Sequence, residues 1–346
     1  MIKIYDTNHS FVDMIYKEDI SNYYVEWSLE DGLRTISFSL PIVDRYLTNI
    51  NEEYYIETED YEYIVKRIVL QEDDPHMIIQ GIGNIEELTG TVLEVLDAFD
   101  ITVNECLTKI VTLKGLSWEL QFNVNYANKV QYALSKKTVL ECLNQVKEDY
   151  ALEFWFNTKD KIIEVYAAGG MGRNKGSALM NELRLASLYH SGNTSDFVTV
   201  LYPYGYNGLS IKDINNGKEF IENYDYCDKR IVGYYFADDI KYAEILKMKA
   251  EEELAKRSCP YIQAKIRASA LPQDIQIGDT IFIIDKLKRK KMTKRVVSIK
   301  RFPYEPEKDT IELDNPIIPF TEEMWRFKTD YDKNIHYIKE NIAQLM

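Results

Sequence analysis

One short motif occurs twice and sets the frame for the middle of the chain. Thr102-Val-Asn-Glu-Cys-Leu107 returns 36 residues later as Thr138-Val-Leu-Glu-Cys-Leu143. In each copy a threonine stands three residues before a glutamate. Such a pair caps a helix N-terminus, because the hydroxyl and the carboxylate each take a backbone N–H that would otherwise lack a partner. Each helix is followed by a strand with aromatics, Ser117-Trp-Glu-Leu-Gln-Phe122 and Leu152-Glu-Phe-Trp-Phe156. The segment thus reads as a doubled helix-strand unit, too short a series for a solenoid. A hairpin partner, Lys161-Ile-Ile-Glu-Val-Tyr166, completes it after a turn at Asn157–Asp160. Cys106 and Cys142 hold equivalent places beside the apolar residues of the capped helices, where a small hydrophobe is wanted; they are expected to be buried and unpaired.

The flanks have β character. Before residue 84, Tyr23-Tyr-Val-Glu-Trp-Ser-Leu29 and Leu33-Arg-Thr-Ile-Ser-Phe-Ser-Leu40 bracket a Glu30-Asp31-Gly32 turn, and further aromatic and β-branched runs follow at Tyr54, Tyr61 and His76. Their spacing fits a small antiparallel barrel or sandwich, and closure would remove sticky edges. Gly169–Ser177 is rich in glycine and reads as a mobile linker. Beyond it come a strand at Phe197–Leu201, a polar helix at about 238–257 with the stripe Ala243, Leu246, Ala250 and Leu254, a stop at Pro260, and strands starting at Tyr261, Thr280 and Thr293. In the last 25 residues, Met324, Phe327, Tyr331, Ile335, Ile338, Ile342 and Leu345 lie close to a coiled-coil seam. The expected architecture is α+β and multidomain: a barrel-like unit at 1–83, an α/β unit at 84–168, a second barrel-like unit at 169–319, and a C-terminal helix at 320–346.

Charge and motif content exclude several function classes. Acidic residues number 56 against 42 Lys and Arg, a net charge of −14 over 346 residues, which argues against a phosphate-binding clamp covering the chain. No apolar run approaches the roughly 20 residues of a spanning helix, and the start lacks the pattern of a secretion signal; the chain reads as a soluble protein made in the cytosol. The four cysteines and four histidines are scattered, without the spacings of a zinc site. Gly169-Gly-Met-Gly-Arg-Asn-Lys-Gly-Ser177 misses the Walker loop, which needs Lys directly after its last glycine, and misses the third glycine of a dinucleotide fingerprint. His190-Ser191 has no Gly-x-Ser-x-Gly elbow around it. No catalytic, metal-binding or cofactor-binding residue is assigned, and no cofactor is expected. The one basic cluster is Lys286, Lys288, Arg289, Lys290, Lys291, Lys294 and Arg295, with Lys300 and Arg301 beyond. It reads as a solvated hairpin tip or as a contact with an acidic neighbour, such as another subunit. The 26 tyrosines suit protein interfaces and edge strands alike.

Val200-Leu-Tyr-Pro-Tyr-Gly-Tyr-Asn-Gly-Leu-Ser-Ile211, continuing to Asn215-Asn-Gly-Lys218 and Phe220-Ile-Glu-Asn223, resembles a signature of the prophage endopeptidase tail, or tail-associated lysin, family of phage tail proteins. The positions that carry it are Tyr202, Pro203, Tyr204, Gly205, Gly208, Asn215, Gly217 and Lys218, with Gly208-Leu-Ser-Ile211 matching a strand of the pattern. The order of elements agrees from about Met1 to Pro319. The resemblance implies a baseplate hub or tail-tip protein: a homotrimer whose two barrel-like domains per subunit form a six-fold-like ring continuing the tail tube. It implies contacts with tail-tube, distal-tail, fibre or lysin components, DNA only in passage, no membrane insertion, and a place at the virion tail tip after synthesis in the host cytoplasm. Longer relatives add a wall-cleaving or receptor-binding region after this head; with the chain ending at Met346, that region is expected to be missing and no catalytic residue carries over. A peptidoglycan peptidase assembled from distant residues and a wall-carbohydrate-binding module are the competing readings.

Overall fold

Period-two alternation builds the N-terminal strands. In the computed structural model, which describes residues 1–70, 74–124, 129–180, 187–193, 197–225, 227–238, 240–258, 261–267, 274–285 and 290–314, the chain starts with β1 (Ile2–Tyr5), β2 (Phe11–Ile15), β3 (Ser21–Ser28) and β4 (Arg34–Pro41). The short helix α1 (Asp44–Asn49) precedes β5 (Tyr55–Glu57), β6 (Glu62–Val69) and β7 (His76–Gly83). Along β7 every second residue is buried, so Met77 and Ile79 join Ile4, Ile15, Phe38, Leu40, Ile56 and Val65 in one core. The β3–β4 turn carries Gly32 at φ +66; a Cβ there would stand 2.0 Å from the Phe154 carbonyl oxygen, and Phe156 N–H donates to Gly32 O at 2.9 Å. Glycine is required twice over, by the turn and by the docking of this turn on the middle unit.

The middle unit opens with α2 (Glu86–Gly90) and then shows the repeat in full: β8 (Val92–Thr102), α3 (Val103–Thr112) and β9 (Glu119–Phe122), followed by β10 (Lys129–Thr138), α4 (Val139–Asp149) and β11 (Leu152–Asn157), with β12 (Ile162–Ala167) last. The repeat is therefore strand-helix-strand, one strand longer than the sequence reading. Both capping boxes are formed: Glu105 N–H donates to Thr102 Oγ1 and Glu141 N–H to Thr138 Oγ1, each at 3.2 Å, while the glutamates accept from the threonine backbones at 2.7 Å. β8 and β10 pair antiparallel from Thr102↔Lys129 to Val92↔Thr138, which sets the two capping threonines at opposite ends of the ribbon and relates the copies by an approximate two-fold axis. Cys106 and Cys142 are buried and free, and both lie in the core with Leu107, Leu143, Phe154 and Phe156.

The remaining elements are β13 (Asn174–Met180), β14 (Ser187–Asn193), β15 (Val200–Gly205), β16 (Ile221–Glu222), β17 (Val232–Ala237), α5 (Ala243–Arg257), β18 (Tyr261–Arg267), β19 (Thr280–Asp285), β20 (Lys290–Arg301) and β21 (Thr310–Asp314). The long β20 joins both flanks: it pairs with β21 and β19, and its Ser298–Arg301 end pairs antiparallel with Val25–Ser28 of β3. One sheet thus runs β14-β18-β21-β20-β3-β4-β7-β6-β5-β1-β2, with β19 branching from β20 and β13 from β19. The α+β class holds, with a two-stranded and two three-stranded sheets beside the large one. The barrel-like closure expected of each flank is not a feature of the described residues, because strands from both flanks share one ladder that stays open at β2 and β14. The C-terminal helix expected at 320–346 lies outside the described residues.

Candidate functional site

The signature segment forms one of the two three-stranded sheets, β16-β15-β17, in which β15 and β17 run parallel and β16 joins antiparallel. Alternation sorts its residues between two faces. Leu201 and Ala237 turn toward α5, where Ile211, Ile221, Leu246, Ala250 and Leu254 complete a core. Three of the four stripe positions read from the sequence, Leu246, Ala250 and Leu254, are buried there. The opposite face carries Tyr202 and Tyr204 across from Tyr234 and Phe236, and no described element covers it: Tyr234 is 56% and Phe236 68% exposed. β16 pairs only with Val200 and Leu201, so Pro203 falls where β15 needs no ladder donor on that side.

The rings of this face pack against one another. Tyr204 and Phe236 stack at 5.7 Å and 19°, Tyr234 and Phe236 at 6.2 Å and 22°, and Tyr204 and Tyr234 at 6.4 Å and 25°. At the far end Tyr202 meets Phe220 at 5.3 Å. Cations close the margins: Arg230 donates to the Tyr202 hydroxyl at 3.1 Å and lies 5.0 Å from the Phe220 centroid, Lys218 lies 5.6 Å from the same ring, and Lys241 stands 4.9 Å from Tyr206. Each such contact contributes about 0.5–1 kcal/mol at an exposed site.

The other signature residues shape the loop that brings Phe220 to this face. Gly208-Leu-Ser-Ile211 is not a strand; it lies between a 3₁₀ turn at Tyr206–Gly208 and another at Lys212–Ile214. Asn207 and Gly208 both take positive φ, +53 and +76, which reverses the chain too sharply for a strand. Asn215 donates to the Lys218 and Phe220 carbonyls at 3.2 and 2.9 Å, Gly217 turns at φ +79, and Lys218 pairs with Glu222 at 2.9 Å. Tyr234, Phe236 and Arg230 were missed by the sequence reading, although the alternating exposure of Val232-Gly-Tyr-Tyr-Phe-Ala237 marks a strand with one outward face.

Two members of the basic run, Lys294 and Arg295, turn inward. Lys286, Lys288 and Arg289 lie outside the described residues, and Lys290 and Lys291 open β20, where they pair with Asp285 and Ile284. Lys294 and Arg295 are buried. Arg295 makes a two-pronged ion pair with Glu153 of β11, its Nη2 bond 2.8 Å long, and also donates to the Met171 and Gly278 carbonyls. Glu153 in turn accepts from the backbone N–H of Gly169 and Met171. Asp279 accepts from Arg173 N–H at 2.8 Å, and a Cβ on Gly172 (φ +84) would come within 2.1 Å of Gly278 C. Gly169–Arg173, expected to be a mobile linker, is therefore a fastened joint: its glycines permit close backbone approach, and a buried guanidinium and two carboxylates take up its polar groups. Arg295 acts inside the chain, not at the subunit contact expected of it.

Other chemistry-bearing groups stay apart. Among the described residues no group of three or more His, Cys, Asp and Glu side chains is placed to hold a metal ion. Burial pushes the Cys106 thiol up to about 12 and raises that of Cys142, the opposite of what a nucleophile needs. His190 and Ser191 occupy successive positions of β14. No helix among the described residues is long and apolar enough to cross a membrane.

Comparison with known proteins places this geometry. Residues 173–322 match the family model described as prophage endopeptidase tail. No curated protein matches the chain in sequence. Among solved structures, prophage tail protein gp18 from Listeria monocytogenes EGD-e superposes with a TM-score of 0.65 at 13% identity, over 96% of this chain and 99% of that one. The 43 kDa tail protein of prophage MuSo2 from Shewanella oneidensis gives 0.64 at 11%, over 91% and 98%. The tail protein from Neisseria meningitidis MC58 gives 0.61 at 10%, over 94% and 97%. Nearly the whole chain therefore shares the fold of these three tail proteins. The resemblance read in the sequence is shown as well: residues 173–322 carry the pattern of the prophage tail family, and nearly the whole chain carries a fold found in prophage tail proteins.

Proposed function

We propose that this chain is a structural tail-tip protein of a phage or prophage: a hub that trimerises to continue the tail tube, joins it to host-contacting parts, and performs no chemistry itself. The observation that carries the reading is the end-to-end correspondence with the tail protein gp18, over 96% of this chain and 99% of that one. The best-developed exposed feature is an aromatic face with a cationic margin, a composition suited to protein contact. The excess of 56 acidic over 42 basic residues suits a channel that DNA crosses without being held, since cations lining it would bind passing phosphates. Neighbouring tail proteins are the expected partners and the virion tail the expected location. Light scattering of the purified chain tests the trimer, and negative-stain images test for a threefold ring with a central pore. The endopeptidase in the family's name is tested by incubation with isolated cell walls: metal- or thiol-dependent release of peptides would overturn the non-catalytic reading.

A further inference from the structure

The geometry points to the aromatic face of β15–β17 as the seat of a second copy of this chain, held against the acidic surface of its neighbour; this rests on the hub reading above. The face is aromatic, and no described element covers it. Tyr206, Val232, Tyr234 and Phe236 are all among the exposed large hydrophobic side chains of the described residues, while α5 seals the other side of the same sheet. Exposed apolar surface gathered this way marks an interaction site. Aromatic residues with arginine beside them are the anchors that dominate binding energy at protein interfaces.

Tyr204, Tyr234 and Phe236 lie within 25° of parallel with centroids 5.7–6.4 Å apart, so they pack side by side as one aromatic patch. Phe220 has Arg230 and Lys218 against its ring. Rings in such a patch pack against aliphatic side chains, and the tyrosine hydroxyls accept or donate single hydrogen bonds.

Charge selects the occupant. Lys218 is already paired with Glu222, but among the described residues neither Arg230 nor Lys241 has a carboxylate partner; each rests on an aromatic ring. Two such faces joined by a two-fold axis would set cation against cation. The face therefore suits a surface of opposite sign, and a chain of net charge −14 offers one on every further copy. A contact between unlike surfaces of the same chain is the kind that propagates around a closed ring.

The test uses the full chain and three exposed substitutions, Phe236→Glu, Arg230→Glu and the conservative Phe236→Tyr, with circular dichroism to confirm the fold. Sedimentation velocity over a range of concentration and salt is the readout. Expected is a multi-copy wild type whose association weakens about 30-fold or more in Phe236→Glu, about tenfold in Arg230→Glu with a flatter salt dependence, and little in Phe236→Tyr. If both glutamate variants assemble as the wild type does, this face is not the contact, while the hub reading stands. A wild type that stays monomeric at all concentrations overturns both. Protection of residues 232–237 from hydrogen exchange only on adding another tail protein or wall glycan would give the face to that occupant instead.

Discussion

Residues 84–168 and residues 197–258 are made from the same parts, a small sheet with helix packed on one side, and they reach opposite ends. In the first, the β8–β10 ribbon and the β11–β12–β9 sheet enclose α3 and α4 in one core that takes in Trp118, Phe154 and Phe156. In the second, α5 supplies a core on one side of β16-β15-β17, while Tyr234 and Phe236 stand in solvent on the other. The difference follows from repetition. A strand-helix-strand unit that occurs twice meets its own copy within the chain and closes the core. The unit that occurs once has no described counterpart to cover its outer face, and Tyr234 and Phe236 stay exposed there.

The largest effects should come from the closed region. Phe154→Ala removes a fully buried ring from the shared core and is expected to cost about 3–5 kcal/mol, read as a drop in the urea midpoint with unchanged slope. A cost under about 1 kcal/mol would mean that residues 84–168 are loosely packed and no better closed than residues 197–258. The joint between this unit and β20 should be nearly as sensitive. Arg295→Leu leaves the Glu153 carboxylate buried with only two backbone donors, a change expected to cost about 3–5 kcal/mol, whereas Arg295→Leu combined with Glu153→Leu should recover much of the loss. Urea titration of the three proteins checks this; no recovery in the double variant would mean that the guanidinium's bonds to the Met171 and Gly278 carbonyls matter more than the ion pair.

Alkaline pH tests the same core from a different direction. The folded state holds the Cys106 thiol at about 12 against an ordinary 9.0, because burial penalises the thiolate. With the folded value raised, the stabilisation from the neutral thiol is fully present below pH 9 and is lost as pH rises from 9 toward 12. The slope is about 1.4 kcal/mol per pH unit for this thiol, and Cys142, also raised by burial, adds in the same sense. Cys106→Ala should flatten the stability–pH curve over that window. A maleimide should label the partly exposed Cys227 quickly in the native state and the two core thiols only after unfolding. Rapid labelling of all three would break the comparison.

What the sequence revealed follows the range of the interactions concerned. The capping boxes were legible because Thr102 and Thr138 act on residues three positions away. The ribbon of β8 and β10 was not, since Val92–Thr102 shows Leu93, Leu96 and Ala98 buried in an irregular rhythm, with a register shift in the pairing near Val130 that breaks strict alternation. Glu153 and Arg295 are 142 positions apart, and a basic run says nothing about which of its members turns inward. The candidate face was half legible. The signature marked Tyr202 and Tyr204, but β17 joins β15 by a parallel crossover, and non-local pairing leaves no pattern near the signature that names Tyr234 and Phe236.

The caps offer a finer test of whether the two copies of the repeat are equivalent. Thr102→Ala and Thr138→Ala each remove one hydroxyl that accepts from a helix N–H at 3.2 Å, and each is expected to cost about 1 kcal/mol. Because the bonds match in both copies, the two losses should agree within a few tenths of a kcal/mol by thermal or urea unfolding. A marked asymmetry would show that the copies carry unequal shares of the core's stability.

The smallest expected effect is the most telling. Phe236→Ala deletes a ring from the outer face of β17, as Phe154→Ala deletes one from β11. Phe236 is 68% exposed and packs against the rings of Tyr204 and Tyr234, so the chain alone should lose no more than about 0.5 kcal/mol. That figure applies to the isolated chain at low concentration, where no described element covers the face. At concentrations where copies associate, the same substitution should lower the apparent stability further, because a partner that binds only the folded state adds to it by mass action. Thermal unfolding of both proteins across a concentration series separates the two contributions. A loss of several kcal/mol in the dilute chain would show that the aromatic ladder supports its own fold, and the open face would then be a second core rather than a surface awaiting a partner.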